Sequence, residues 1–206
     1  MDAQHHWQSM YMQKSPESVS WYQATPTVSH ALITQIALAP AAHILDVGGG
    51  ASTLVDALLT SGYTALSVLD LSAAALAYSR ERLGTAADGV TWLAADILDV
   101  MLPAASVDVW HDRAVFHFLT QADERARYLA QVRHALRPGG HVVIATFADD
   151  GPTRCSGLDV ARYSATELHD AFGDDFTLLT SQRELHVTPS GSAQAFTYCV
   201  CRWSPL

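Results

Sequence analysis

A short apolar run that breaks into three consecutive glycines occupies residues 43–53 of the 206-residue chain. Asp46 stands two residues before the first glycine, and apolar residues then recur at helical spacing from Leu54 to Leu59. This pattern predicts a strand, a tight turn and a helix, the first βα unit of a nucleotide-binding sheet. Glycine permits a sharp turn and a close approach by a ligand, which the N–H groups of the helix's first turn then face.

Strands and helices alternate along the rest of the chain. Further strands are predicted at Ala65–Leu69, Val90–Ala94, Val107–Trp110 and His141–Thr146. Helices are predicted at Thr27–Leu38, Ser72–Leu83, Arg125–Leu136 and Ser164–Phe172, the third ending at the Arg-Pro-Gly-Gly breaker, residues 137–140. Residues 176–187 and 195–203 are predicted to form an antiparallel hairpin. The alternation predicts an α/β fold, a mostly parallel sheet with helices on both faces.

Acids mark the ends of the first three predicted strands: Asp46, Asp70 and Asp96. Ligands of open α/β sheets bind at the carboxyl ends of the strands, so these side chains are expected to share one site. Asp70 lies about twenty residues beyond the glycines, where a carboxylate accepts hydrogen bonds from both ribose hydroxyls, which argues against a 2′-phosphate and NADP. Asp96 and Ile97 are placed to receive an adenine. The alternative is a glycine turn with solvated loop carboxylates, because the third glycine of the dinucleotide fingerprint is missing.

Charge and composition limit the kinds of molecule that the protein is expected to bind. The formal net charge is −9 with a single lysine, Lys14, so nucleic acid is not an expected substrate. No stretch approaches the ~18 apolar residues of a membrane span, and residues 1–13 lack the apolar core of a secretion signal, so a cytoplasmic protein is predicted. The oligomeric state is not predicted.

Residues 1–30 form a predicted N-terminal arm, followed by one domain over residues 31–206. The arm is polar but rich in aromatic residues: Trp7, Tyr11, Trp21 and Tyr22. These aromatics either pack on the main body or fold over a cofactor as a lid that shields it from water. Both interpretations stay open.

Four motifs in order, Asp46-Val-Gly-Gly-Gly, Val68-Leu-Asp70-Leu-Ser, Ala95-Asp96-Ile97 and Leu136-Arg-Pro-Gly-Gly140, resemble those of the class I S-adenosylmethionine-dependent methyltransferases. The resemblance covers roughly residues 27–203 and implies a Rossmann-like seven-stranded sheet with an antiparallel last strand. It also implies S-adenosyl-L-methionine as cofactor and S-adenosyl-L-homocysteine as product. The cofactor contacts expected on this basis are Asp46, Gly48, Gly49, Gly50, Asp70, Leu71, Asp96, Ile97, His111 and Trp21.

Residues 21–23 and 109–117 also look similar to a narrower branch that methylates lysines of elongation factors and citrate synthase. That branch has Asp-Lys-Gly-Thr after the fourth strand, whereas this chain has Asp112-Arg-Ala-Val, which differs at three of four positions. A small-molecule acceptor is therefore preferred over a protein lysine. Two further functions fit the same sheet: an NAD-dependent oxidoreductase and a non-catalytic nucleotide-binding partner protein.

Methyl transfer is a displacement in which the enzyme positions the acceptor and, for some nucleophiles, removes a proton. His111 and Asp112 are the catalytic candidates, although a hydrogen-bonded structural role is preferred for His111, and Asp112 could instead pair with Arg113 to order the loop. Substrate contacts are predicted at Arg113, Phe116, His117 and Phe147. No metal is expected; a site of Cys155, Cys199 and Cys201 for a metalloid is a minor hypothesis.

Overall fold

The computed structural model describes residues 3–37 and 39–205. Its main sheet consists of β1 (His43–Val47), β2 (Ala65–Asp70), β3 (Val90–Ala94), β4 (Val107–Arg113), β5 (Leu136–Phe147), β8 (Phe176–Val187) and β9 (Ala193–Trp203), and β6 (Arg154–Cys155) pairs with β7 (Leu158–Asp159) in a separate hairpin. The helices are α1 (Ala3–Gln13), α2 (Thr27–Ile36), α3 (Leu54–Thr60), α4 (Ala73–Leu83), α5 (Ala122–Ala135) and α6 (Ala165–Phe172). Short 3₁₀ helices occur at Pro16–Ser18, Gly84–Gly89 and Phe116–Phe118.

The seven main strands lie in the order β3-β2-β1-β4-β5-β9-β8. Neighbours from β3 to β5 pair in parallel, and β9 runs antiparallel to both β5 and β8. The order reverses between β2 and β4 around β1, which creates the switch point where ligands of such sheets bind. The predicted α/β fold, with its antiparallel last strand, is confirmed.

Two apolar layers cover the faces of the sheet, as the alternation of side chains along a strand requires. Ile44 and Val109 pack with α2 and α3 on one face, whereas Leu45 and Trp110 pack with α5 and α6 on the other. The parallel strands β1, β2, β4 and most of β5 are buried on both faces, which explains their nearly continuous apolar runs, whereas the edge strand β3 is partly exposed. Within the described residues, no helix has the length and apolar character needed to cross a membrane.

Several predicted boundaries are wrong. β4 continues through Arg113, so residues 111–113 lie in the strand and not after it. β5 begins at Leu136, which pairs with Val107 of β4, and the Arg-Pro-Gly-Gly run forms an irregularity before pairing resumes between His141 and Val109. Helix α2 ends at Ile36, and Leu38, its predicted end, lies outside the described residues.

Helix α1 was not predicted at all. Its eleven residues lack a regular apolar stripe and a charged first turn, so neither the periodicity nor the capping pattern predicts a helix here. It is held instead by tertiary contacts, including the Oε1 atom of Gln8, which accepts from the Ser72 hydroxyl (3.1 Å) and the Ala74 N–H (3.2 Å) at the start of α4.

Candidate active site

The main cleft, of about 450 Å³, opens at the carboxyl ends of β1 to β4. Asp70 at the end of β2 lines it, together with Leu71, and Asp96 and Ile97 line it after β3. Its volume falls within the roughly 300–1,000 Å³ of small-molecule sites. The predicted ribose and adenine contacts therefore lie in one cleft.

A side pocket of about 50 Å³ adjoins the main cleft and is lined by Asp46, His111 and Ser29. The two cavities share several wall residues: Tyr11, Trp21, Val47, Gly48 and Arg113. Because of these common walls, the three acids predicted at successive strand ends converge on one composite site.

The glycine turn closes tightly over Asp46 and Asp70. Gly48 adopts φ +71°, and the N–H groups of Gly48 and Gly49 donate to the carbonyl of Leu69 at 2.7 and 3.2 Å. A Cβ at Gly49 would lie 2.4 Å from Asp46 Oδ2, and one at Gly50 would lie 2.5 Å from Asp70 Oδ2. Glycine is required here because any side chain would displace a carboxylate of the site.

Asp46 is buried and has one carboxylate oxygen engaged and one free. Its Oδ1 atom accepts from Nδ1 of His111 at 2.7 Å, and the Ser29 hydroxyl lies 2.8 Å from Nε2 of the same ring. Oδ2 has no hydrogen-bond partner. A buried, unpaired carboxylate oxygen is costly unless a cationic ligand group meets it, so the side pocket suits an ammonium group.

Asp70 is buried beside Asp46. Burial, with a smaller contribution from the negative charge of Asp46, raises the pKa of Asp70 to about 7, although the N–H of Ser72 donates to its Oδ1 atom at 2.7 Å. Asp96 is less enclosed, and its Oδ1 atom accepts from the N–H of Leu98 at 2.8 Å, which fixes the loop after β3. These carboxylates fit hydroxyl and amine donors of a nucleoside.

The N-terminal arm forms one wall of both cavities. The ring of Trp7 lies edge-on to Trp21 (5.6 Å between centroids) and to Phe118 (5.1 Å), and Nε1 of Trp21 donates to the Tyr11 hydroxyl at 3.0 Å. Burial and the nearby Asp70 raise the pKa of Tyr11. Met1 and Asp2, also assigned to the arm, lie outside the described residues.

Arg113 joins the arm to the far strands. Its guanidinium donates to the Tyr198 hydroxyl (2.9 Å) and the Trp21 carbonyl (3.2 Å), lies 3.5 Å from Glu184 and stacks 4.1 Å from the centre of the Phe196 ring. Every part of the guanidinium thus has a protein partner. Arg113, a predicted substrate contact, therefore lies in the cleft wall, and its charge is already balanced by Glu184.

Some of the other predicted site residues do not line either cavity. Asp112 and Phe116 face α5, because side chains alternate along β4 and His111 faces α2. Neither lines a cavity. His117 is buried behind Phe147, its Nδ1 atom accepts from the Phe147 N–H at 3.3 Å, and burial lowers its pKa to about 3. Phe147 itself lines the main cleft, as expected for a substrate contact.

Asp112 organises the loop after β4. Its Oδ1 atom accepts from Val115 N (2.8 Å), and its Oδ2 atom accepts from Phe116 N (3.0 Å) and the Tyr128 hydroxyl (2.6 Å). Burial raises its pKa to about 6 against these lowering contacts. These hydrogen bonds give Asp112 a structural role, which corrects the expectation that it acts as a catalytic residue at the cleft.

Replacing this aspartate separates a structural role from a catalytic one. In Asp112→Asn an amide NH₂ faces at least one of the three donors, so we expect the free energy of unfolding to fall by about 2 kcal/mol. S-adenosylhomocysteine affinity of the folded protein should stay within about twofold, since a residue outside the cleft contributes no ligand bond. Urea unfolding and calorimetric titration measure the two effects, with the exposed Asp88→Asn as control. Lost affinity with unchanged stability would contradict the structural role.

The three cysteines do not meet. Cys199 and Cys201 belong to the layer that packs against α5, whereas Cys155 belongs to the opposite layer and lines the main cleft. Across the part of the chain that the structure describes, no group of three or more His, Cys, Asp or Glu side chains is placed to hold a metal. The trithiolate hypothesis is therefore wrong.

Comparison with known proteins supports a family assignment. Residues 44–140 match the family model described as "Methyltransferase domain". This match supports a class I S-adenosylmethionine-dependent methyltransferase. S-adenosylmethionine is the cofactor that defines this family, and the free Asp46 oxygen, the glycine turn and the Asp70 carboxylate all suit it.

Two curated relatives contain a similar segment. The chain is 30% identical over 139 residues to the reducing polyketide synthase Preu2 of Preussia isomera, a match that covers 65% of the chain and 6% of that protein. It is 26% identical over 149 residues to the eEF1A lysine and N-terminal methyltransferase of Bos taurus, with 69% of the chain and 21% of that protein covered. The chain thus spans only a small part of the curated relatives it matches.

Solved structures show the same fold at low sequence identity. A structure described as the conversion of a disulfide bond into a thioacetal group during echinomycin biosynthesis has a TM-score of 0.78 at 19% identity, covering 98% of this chain and 93% of that one. The 1,6-didemethyltoxoflavin-N1-methyltransferase of Burkholderia thailandensis, with bound 1,6-didemethyltoxoflavin and S-adenosylhomocysteine, has a TM-score of 0.70 at 21% identity, covering 98% and 84%.

Proposed function

We propose that the chain transfers a methyl group from S-adenosylmethionine to a small-molecule acceptor. The observation that supports this most is the convergence of Asp46, Asp70 and Asp96 on two adjoining cavities whose walls also include aromatic side chains from α1 and the rest of the arm. The cofactor would supply an electrophilic methyl group on a positively charged sulfur. The protein's part is to bind, orient and exclude water.

The roles of the residues follow from their positions. The free oxygen of Asp46 would pair with the ammonium of the cofactor's methionine portion, with His111 holding the carboxylate in place through Oδ1. Asp70 would accept both ribose hydroxyls, and Asp96 with Ile97 and Leu71 would hold the adenine in the main cleft. Trp21, the glycines 48–50 and α1 would close over the cofactor, so the arm at residues 1–30 acts as its cover.

Two observations favour a small molecule over a protein acceptor. One wall of the acceptor side of the cleft is formed by α1 through Trp7, which suits a small molecule better than a folded partner. The toxoflavin enzyme, similar in fold, is named for a small-molecule substrate. The eEF1A relative supports a protein lysine as the second candidate. The acidic charge argues against nucleic acid, and a cytoplasmic location stays a prediction.

Thermal unfolding tests the cofactor assignment directly. A ligand at 100 times its dissociation constant adds about 2.7 kcal/mol to folding, which raises Tm by roughly 5–10 °C in a domain of this size. We expect this shift with S-adenosylmethionine and S-adenosylhomocysteine, and none with NAD at equal concentration. A shift with NAD alone would refute the proposal. Tritiated methyl transfer into fractionated lysate then separates small-molecule label from protein label, and label confined to protein would favour the lysine candidate.

A further inference from the structure

Besides Asp70 and Asp96, the main cleft is lined by several aromatic side chains, which we call the acceptor walls. They come from α1, the rest of the arm, the 3₁₀ helix after β4, and strands β5 and β9: Trp7, Trp21, Phe118, Phe147 and Phe196. Neighbouring rings are in contact, with 5.1 Å between the centroids of Trp7 and Phe118. Ring faces attract a positive charge, and the attraction grows as the charge loses its water. The acceptor walls therefore suit a cation that also carries an apolar body.

The charged side chains of the main cleft are mostly acidic. Within the part of the chain that the structure describes, its walls include one cationic side chain, Arg113, and the carboxylates of four residues: Asp70, Asp96, Glu124 and Asp159. Arg113 is balanced by Glu184, 3.5 Å away, so it does not offset these carboxylates. Charges of one sign in a cleft with low-dielectric walls add to a field that attracts the opposite charge. The main cleft therefore favours a cationic ligand over an anionic one.

Glu124 is the carboxylate that is left for a ligand other than the cofactor. Among residues 3–37 and 39–205, it forms no ion pair, and the proposed cofactor contacts do not use it. Its side chain is half-buried and accepts from the backbone N–H of Gln121 at 3.1 Å, as part of a capping box at the start of α5. Asp159, in contrast, pairs with Arg154 at 3.1 Å. A partly desolvated carboxylate without a counter-charge attracts a cation more strongly than one in open water.

Glu124 and the ring of Phe118 enter the main cleft from one short segment, between β4 and the first turn of α5. The segment is compact, since the Thr120 N–H donates to the Phe118 carbonyl at 2.9 Å. Phe118 in turn touches Trp7 of α1. The carboxylate and the acceptor walls are thus adjoining features of the same cleft, and each independently favours a positive charge.

From these walls and charges, and resting on the methyl transfer proposed above, we infer that the acceptor is a small molecule with a positively charged amine that binds between the acceptor walls and the Glu124 carboxylate. The rings cover the apolar part of the molecule, and Glu124 supplies the counter-charge. A neutral molecule of the same shape gains the ring contacts but neither attraction for charge. An anionic molecule meets the acidic walls without a free cation.

Two probes of the same shape test this inference on the full chain. Benzylamine is protonated at pH 7.5, whereas benzyl alcohol carries a neutral hydroxyl in place of the ammonium. With the protein saturated with S-adenosylhomocysteine, we expect benzylamine to bind at least about tenfold more tightly in calorimetric titration, because its charge interacts with both the rings and the carboxylate. Equal or tighter binding of benzyl alcohol would overturn the inference, and so would binding of neither probe. Failure of S-adenosylhomocysteine itself to bind would instead refute the proposed function.

Glu124→Gln tests the counter-charge. Glutamine also completes a capping box, so the variant keeps the contact with Gln121 and loses only the charge. We expect the preference for benzylamine to fall about fivefold, the effect of one partly exposed ion pair, with unchanged affinity for benzyl alcohol. Glu81→Gln, the same change at an exposed position that lines neither cavity, is the control and should keep the full preference. A preference that Glu124→Gln retains in full would overturn the inference.

Trp7→Leu tests the acceptor walls. Loss of the ring should weaken benzylamine binding about fivefold and benzyl alcohol binding less, because only the cation gains from a ring face beyond simple contact. Trp92→Leu, at another half-buried tryptophan that lines neither cavity, is the matched control and should leave both affinities unchanged. Equal losses for the two probes in Trp7→Leu would contradict a role of this ring in holding the charge.

Discussion

Asp70→Asn is expected to weaken S-adenosylhomocysteine binding by about 100-fold, because a carboxylate that accepts two ribose hydroxyls is replaced by a group with one acceptor oxygen. Each charge-assisted hydrogen bond contributes about 1.5–3 kcal/mol, so losing the charge on both bonds accounts for this factor. Calorimetric titration measures the affinity. Asp88→Asn, the same change at an exposed position, is the control and should bind as the unmodified protein does.

The raised pKa of Asp70 adds a pH signature to this result. The carboxyl group of the ligand-free protein titrates at about 7, mainly because of burial, and only its ionised form accepts both hydroxyls. Affinity should therefore be constant above pH 7 and fall about tenfold for each pH unit below it, over the range in which Asp70 takes up its proton. Asp70→Asn should abolish this dependence. A profile that the variant retains would assign it to another group.

The same substitution should stabilise the ligand-free protein. The folded-state pKa of Asp70 lies above the ordinary aspartate value of 3.8, so its contribution to stability is full below about pH 4 and is lost as the pH rises through 7. At pH 8 the native protein holds a buried charge that asparagine does not introduce, and Asp70→Asn should raise Tm there but not at pH 4. A gain in stability together with a loss of binding would show that the Asp70 carboxylate serves ligand binding at a cost in stability.

Local patterns in the sequence predicted the parts of the site that depend on one βα unit at a time. Asp46 and Asp70 lie at the ends of β1 and β2, Asp96 follows β3, and the glycines mark the turn by their conformational freedom. Sheet topology then places these strand ends side by side. Such features need no knowledge of distant contacts.

What the sequence did not predict depends on where a strand ends and on distant contacts. β4 extends three residues past its predicted end, and the alternation along it directs His111 to Asp46 but Asp112 to Tyr128. The acceptor walls are assembled across more than a hundred residues, as in the contact of Trp7 with Phe118, and no periodic signal encodes such a pair. Ser29, next to His111, likewise lies in a helix with no local mark of function.

Gly48→Ala should abolish cofactor binding, with at least a 100-fold loss of S-adenosylhomocysteine affinity, because the added Cβ meets both a backbone and a steric obstacle. At φ +71° an alanine is strained by roughly 1–3 kcal/mol. Its Cβ would also lie 2.1 Å from Cγ2 of Val115, whose N–H is tied to Asp112, so the turn must shift out of the wall that the main cleft and the side pocket share.

Gly62→Ala separates these two causes. Gly62 has φ +87°, close to that of Gly48, but a Cβ there would find nothing within 4 Å. Gly62→Ala should therefore show only the cost of the strained backbone conformation, a fall of about 1 kcal/mol or more in the free energy of unfolding. Its cofactor affinity should be normal. Gly48→Ala should lose affinity in addition, and Gly48→Ala combined with Val115→Ala should recover part of it, since the truncated side chain removes the clashing Cγ2 atom. If Gly48→Ala binds as well as Gly62→Ala, the turn does not contact the cofactor.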